Sequence, residues 1–155
     1  MISESGKWSF DNGLTPSYSS NGMFLGNVSS GKSAKFNGSY NFPLTVDFDL
    51  VSIITGSSNS IAFEFKQTHN DNNALFISTG LGIVLNGNTL NTGISQSSYT
   101  GHYQLKFTSA TNCELYKDNT LITSVNDITV STLQFMVWLS ASRSVTIKNI
   151  KIKPL

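Results

Sequence analysis

Residues 101–122, GHYQLKFTSATNCELYKDNTLI, constrain the fold of this chain more than any other stretch. Tyr103, Leu105 and Phe107 alternate with Gln104, Lys106 and Thr108. A period of two puts an apolar row on one face of a strand and a polar row on the other. Ser109 to Asn112 reads as a turn, followed by a second strand with Cys113 and Leu115 on one side and Glu114 and Tyr116 on the other. Lys117-Asp118-Asn119-Thr120 is a tight turn, because Asp and Asn bond their own backbone and tolerate left-handed conformations. Leu121 and Ile122 open a third strand. The stretch is a β-meander, and it sets the reading of the less regular segments on either side.

Residues 7–10 predict a first strand with Trp8 and Phe10 on one face, ended by the turn Asp11-Asn12-Gly13. Residues 14–21 read as polar and irregular, residues 22–26 and 32–37 as short strands, and Asn37-Gly38 as a turn. Residues 44–54 form the longest regular strand, with Leu44, Val46, Phe48 and Leu50 facing one way and Thr45, Asp47 and Asp49 the other. The slip in pattern at Val51 to Ile53 predicts a bulge or an end buried on both faces. Ile61, Phe63 and Phe65, alternating with Ala62, Glu64 and Lys66, read as the hairpin partner of that strand.

A polar loop at 67–73 precedes two short strands, 74–78 and 82–85, with Asn86-Gly87 as a hairpin dipeptide and 88–98 as a small excursion. Leu133, Phe135, Val137 and Leu139 make a strand whose reverse face carries Gln134, Met136 and Trp138. Residues 144–153 close the chain, with a phase shift at Asn149, an outward lysine row that discourages edge pairing, and Pro154 as the stop. No stretch keeps a helical period. Short strands punctuated by Gly, Asn and Asp predict an all-β, two-sheet antiparallel sandwich or barrel. With no repeat and no linker, residues 1–155 are expected to form a single domain.

Composition narrows the function classes. Hydrophobic residues make up 39% of the chain and charged residues 12%, which excludes disorder. No apolar run approaches the ~18 residues that a membrane-spanning helix needs. The net charge is +1 and the lysines are scattered, so a nucleic-acid partner is not expected. Ser, Thr and Asn replace the missing charge, a surface that suits extracellular or virion proteins in contact with sugars and equally any soluble β-protein whose outward strand positions need uncharged polar groups. Cys113 is the sole cysteine, so there is no intrachain disulfide, and it is expected to behave as a small buried hydrophobe. The first five residues lack the basic and apolar regions of a secretory signal. The chain is therefore expected to be an excised domain, or to reach its place without the secretory route, as virion parts do. Glu4, Glu64 and Glu114 have no second acid two residues on, so the paired-carboxylate pattern of a glycoside hydrolase is missing.

The second half of the chain resembles the concanavalin-like jelly roll of laminin-G-type and legume-lectin-like modules. The motifs that carry the resemblance are Gly101-His102-Tyr103-Gln104-Leu105, then Leu115-Tyr116-Lys117-Asp118-Asn119, then Phe135-Met136-Val137-Trp138, then Val145 to Ile152. Asn119 stands where those families usually carry Gly. The opening Trp8-Ser9-Phe10-Asp11-Asn12-Gly13 also resembles the start of carbohydrate-binding modules of the galactose-binding jelly-roll type. Both resemblances imply a jelly-roll β-sandwich, and both imply glycan binding. The terminal calcium site of some carbohydrate-binding jelly rolls would fall on Asp11, Asn12 and Asn149, with Asn149 in place of an acidic residue.

Sugars are held by flat aromatic faces against C–H patches and by amides and carboxylates on ring hydroxyls. The candidate platform is Trp138, expected to point outward with Gln134, and Tyr116 is a second. Glu64, Lys66, Asp47 and Asp49 occupy outward rows able to bond hydroxyls. The loop from His69 to Asn73 is rich in oxygen ligands for a glycan or Ca2+. His102 is expected to be an ordinary solvated residue, and Cys113 to lack nucleophilic character. The expected function is a non-catalytic carbohydrate-binding domain for a cell-surface or cell-wall glycan, at an extracellular or virion surface, in a phage or viral receptor-binding apparatus or an adhesin. The alternative is a structural or protein-interaction module in an oligomer or larger assembly, with Trp138 and Met136 as the contact.

Overall fold

The computed structural model describes residues 5–54, 61–67, 73–77, 81–85, 88–126, 128 and 130–155. Its strands are β1 (Trp8–Phe10), β2 (Ser17–Ser19), β3 (Gly22–Leu25), β4 (Lys32–Phe36), β5 (Leu44–Ile54), β6 (Ile61–Glu64) and β7 (Asn73–Ile77). They continue as β8 (Leu81–Leu85), β9 (Asn88–Asn91), β10 (Gly101–Phe107), β11 (Cys113–Lys117), β12 (Thr120–Val125), β13 (Met136–Leu139) and β14 (Ser144–Pro154). Two 3-10 turns, Ser5–Lys7 and Gln96–Ser98, are the helical elements among the described residues. Sheet I has the order β12-β11-β10-β5-β14-β3-β2, and sheet II the order β1-β4-β13-β6-β7-β8-β9. Adjacent strands pair antiparallel, and the two layers make a jelly-roll β-sandwich.

The meander sits at one side of sheet I. Leu105 faces both Val46 on β5 and Leu115 on β11, so one apolar row runs across three strands into the interior. Asp118 and Asn119 take φ of +49° and +64°, the left-handed pair that a tight hairpin turn requires. The core is aromatic where the sheets meet. Phe48 of β5 stacks on Phe63 of β6 with ring centroids 4.7 Å apart, and Phe65 meets Phe107 edge-on at 5.1 Å. Phe135, Val137 and Leu139 join this core, leaving Met136 and Trp138 on the reverse face of β13 as the alternation predicts.

Three expectations are corrected. Ile61 to Phe65 is not the hairpin partner of the long strand: β5 pairs with β10 and β14 in sheet I, and β6 pairs with β13 and β7 in sheet II. Either arrangement buries one apolar row from each strand, so the period of two cannot separate them. The excursion at 88–98 includes β9, which pairs with β8. The irregular stretch 14–21 contributes β2, which pairs with β3. The closing strand ends at Pro154, as expected: Pro154 opposes Leu44, and beyond it Leu155 N–H donates to the Pro43 carbonyl at 3.2 Å. The slip at Val51 is a bulge: Thr146 opposes Ser52 and Ile147 opposes Leu50, so Val51 has no partner on β14. A second bulge between Lys148 and Lys151 matches the phase shift at Asn149. The Asn86-Gly87 turn and the loop His69 to Asn72 lie outside the described residues.

Candidate functional site

The outer face of sheet I is built by register. β5 presents Thr45, Asp47 and Asp49 outward because Leu44, Val46, Phe48 and Leu50 go to the core. Opposite them, β10 presents Lys106, Gln104 and His102. The rows continue to β11, where Tyr116 opposes Gln104 and Glu114 opposes Lys106, and to β12, where Leu121 opposes Tyr116. On the other side, β14 sets Lys148, Lys151 and Lys153 against Asp49, Asp47 and Thr45.

These side chains hold one another in place. The Asp47 carboxylate accepts from Gln104 Nε2 at 2.8 Å and lies 3.5 Å from Lys153 Nζ. Asp49 accepts from Asn149 Nδ2 at 2.7 Å and bonds His102 Nδ1 at 2.7 Å. His102 Nε2 lies 3.7 Å from Asp47, so the imidazole, still 41% exposed, sits between two carboxylates. Asn149 reaches Asp49 from the β14 bulge, where its φ is +55°. Tyr116 donates its hydroxyl to Glu114 at 2.9 Å, and Glu114 lies 3.4 Å from Lys106. Fixed amides and carboxylates on a flat sheet, beside a half-buried phenol ring and a half-exposed leucine, form an arrangement that can meet ring hydroxyls and C–H faces together.

The surroundings of Asp49 favour its ionised form. Burial works against the Asp49 carboxylate, but hydrogen bonds from His102 and Asn149 outweigh it and hold its pKa below the ordinary value. The Lys117 ammonium and the His102 backbone N–H hold Asp118 low as well. The hydrogen bond to Glu114 raises the Tyr116 phenol, keeping it a neutral donor. Burial pushes the Cys113 thiol up, against any nucleophilic role. A depressed carboxylate contributes stability that is present above its unfolded value near pH ~3.9 and is lost as pH falls through the lower folded value. In urea titrations, Asp49→Asn is therefore expected to be less stable than the native chain at pH 5, with the gap closing below about pH 4. A gap that stays constant down to pH 2 would show that the carboxylate charge contributes nothing.

The remaining sequence candidates lie elsewhere. Trp138 is on the outer side of sheet II, opposite Ser33 and Ala62. It is half-buried, and a Cβ built on Gly31 would stand 2.9 Å from its indole Cζ2, so the Gly31 backbone lies against the ring. Gln134 is exposed just before β13, and Lys66 is half-buried just after β6. Glu64 faces outward opposite Met136 but is only 1% exposed, so it is not the solvated carboxylate the alternation predicts. Asp47 and Tyr116 thus belong to one sheet and Trp138, Gln134, Glu64 and Lys66 to the other. Packed sheets stand ~10 Å apart with the core between them, so the six do not converge on one ligand.

The proposed calcium residues do not converge either. Asp11 accepts from Ser33 N–H at 2.8 Å and lies 3.6 Å from Lys35, beside β1 and β4 of sheet II. Asn149 is committed to Asp49 on sheet I, and Asn12 is exposed. Among the described residues no group of three or more His, Cys, Asp or Glu side chains could hold a metal.

The sequence alone does not mark His102, Gln104 or Asn149 as ligand-binding residues of sheet I. The Asp-x-Asp of β5 and the His-x-Gln of β10 share a spacing of two, so their meeting follows once the two strands are known to be neighbours. That adjacency joins residues more than fifty positions apart, and no local pattern carries it.

No protein-family model matches the sequence, and no curated protein sequence matches it. Solved structures do match. The carbohydrate-binding module CBM66 from Bacillus subtilis superposes with a TM-score of 0.64 at 15% identity, over 95% of this chain and 95% of that one. The exoplasmic/lumenal domain of VIP36 in its Ca2+/Man-bound form superposes with a TM-score of 0.63 at 8% identity, over 96% of this chain and 83% of that one. A sialidase matches with a TM-score of 0.66 at 13% identity, and the chain spans only 17% of that protein's length. The fold is thus a concanavalin-like jelly roll, as the motifs in the second half of the sequence imply.

Proposed function

We propose that this chain is a non-catalytic carbohydrate-binding domain that recognises a neutral stretch of a cell-surface or cell-wall glycan through the outer face of sheet I. The observation that carries the reading is the cross-strand set Asp47, Asp49, His102, Gln104 and Asn149, held by mutual hydrogen bonds beside Tyr116. Such pre-orientation removes much of the ordering cost of binding. The likeness to CBM66 and to the mannose-bound VIP36 domain supports it. A binding role rather than hydrolysis fits the electrostatics: a glycosidase needs a carboxylic acid kept protonated by a raised pKa, and Asp49 is shifted the other way. An accessory domain of a phage, viral or adhesin receptor-binding apparatus, at an extracellular or virion surface, is the setting we infer, supported by the uncharged polar surface.

A glycan array followed by calorimetric titration of the best ligand tests this. The double variant Gln104→Ala/Tyr116→Ala is expected to lose about tenfold or more in affinity, in line with one lost stacking contact and one lost hydrogen bond. Trp138→Ala is expected to bind as the native chain does. Loss on Trp138→Ala alone would move the site to sheet II, and a blank array would overturn the reading.

Leu121, 50% exposed beside Tyr116, favours a second reading, in which this face is a protein contact. Light scattering separates the two: a stable oligomer broken by Leu121→Glu supports the protein contact.

A further inference from the structure

An open groove runs along the seam of the sandwich, between the end of β14 and the β1–β4 edge of sheet II. It encloses about 480 Å³ and is lined by Lys7, Asn37 and Tyr40 on one side and by Ile150 to Lys153 on the other, with Phe36 in its wall. That volume suits one or two sugar residues. We propose that this groove binds the anionic group, carboxylate or sulfate, of an acidic glycan. The site is distinct from the hydroxyl-binding face proposed above and adjoins it along β14, where Lys151 and Lys153 oppose Asp47 and Thr45.

Charge is the first ground. Lys7, Lys151 and Lys153 line the groove, and its lining contains no acidic residue. All three are exposed, and Lys7 and Lys151 have no ion-pair partner among the described residues. In a chain of net charge +1 this is a local excess of positive charge beside a concave surface. Rigidity is the second ground. The Asn37 side chain accepts from Ser9 Oγ at 2.7 Å and donates to the Gly6 carbonyl at 3.3 Å, and Tyr40 donates its hydroxyl to the Asn37 carbonyl at 2.9 Å. The wall's polar side chains are thus used internally, which leaves the ammonium groups as the side-chain donors that face a ligand. Tyr40 adds a ring, packed 6.2 Å from Phe36, for the C–H face of a sugar.

The backbone is the third ground. Among the described residues, β3 pairs with β14 from Val145 to Ile147, and beyond Ile147 the strand has β5 as its partner and its other edge faces the groove. Those of its backbone N–H groups that point away from β5 add donors for an anion. The Asn149 bulge and the flanking lysines work against an added peptide strand there. A densely charged nucleic acid would require a wider basic face.

The test titrates the full chain with polygalacturonate, dextran sulfate, uncharged dextran and single-stranded DNA. One or both acidic glycans are expected to bind, more weakly at 200 mM than at 50 mM salt. Lys7→Gln/Lys151→Gln is expected to weaken that binding about tenfold, as loss of two charge-assisted contacts implies, with unchanged thermal unfolding. Gln104→Ala/Tyr116→Ala is expected to leave it intact. Failure of both acidic polymers to bind, or binding indifferent to the lysine pair, overturns the groove without touching the neutral-glycan reading. Loss on Gln104→Ala/Tyr116→Ala alone reassigns the acidic glycan to sheet I. Tighter binding of DNA than of either acidic glycan replaces the ligand class.

Discussion

Phe48→Ala is expected to cost about 3–5 kcal/mol, the range for emptying a buried aromatic site. Phe48 is fully buried in the middle of β5 and is in ring contact with Phe63 at 4.7 Å, Tyr103 at 5.5 Å and Phe135 at 6.1 Å. Phe63 and Phe135 come from sheet II, so the ring is where the two layers grip. Truncation removes apolar area and leaves a void that rigid strands on both sides cannot close. A domain of this size holds about 5–15 kcal/mol in total, so the variant is expected to be marginal or partly unfolded. Urea titration should show a sharply lower midpoint with an unchanged slope. Phe48→Leu, which keeps much of the volume, should recover most of the loss. A cost below about 1.5 kcal/mol for the alanine variant would mean that the aromatic cluster is not the junction of the layers.

The second large effect is expected at Gly22. Its φ is +116°, and a Cβ there would collide with the Ile147 carbonyl oxygen and lie 2.8 Å from Lys148 Cβ. The oxygen belongs to backbone that is itself tied into sheet I, so it cannot swing aside as a side-chain tip would. Gly22→Ala combines an unfavourable backbone conformation with a backbone clash, and about 3 kcal/mol or more is expected. Gly93 supplies the control. Its φ is +75°, but nothing lies within 4 Å of an added Cβ. Gly93→Ala should therefore report the backbone contribution alone, about 1 kcal/mol. Equal losses at the two positions would show that close approach to β14 is unimportant.

How much of this could be read from the sequence depended on range. The meander was legible because β10, β11 and β12 are consecutive and their turn carries Asp118-Asn119. The bulges at Val51 and Asn149 were legible because each breaks a period of two. The assignment of β6 to sheet II was not, since Ile61, Phe63 and Phe65 alternate in the same way whichever layer they join. The candidate site shared that limit. The alternation correctly put Tyr116, Asp47 and Trp138 on outward rows, but it could not tell that two sheets divide them. Nor could it tell that Glu64, outward by period, is covered. Gln104 and His102 gained meaning only from the strand beside them.

The arrangement of β5 also governs when this chain can fold. Its two neighbours are β10, more than fifty residues downstream, and the closing strand, whose Pro154 opposes Leu44. During synthesis β5 therefore waits for both of its neighbours. Assembly dominated by such distant pairings proceeds in milliseconds to seconds rather than microseconds. During synthesis the row Leu44, Val46, Phe48 and Leu50 stays uncovered, a window in which chaperones, or aggregation, compete with the native partner.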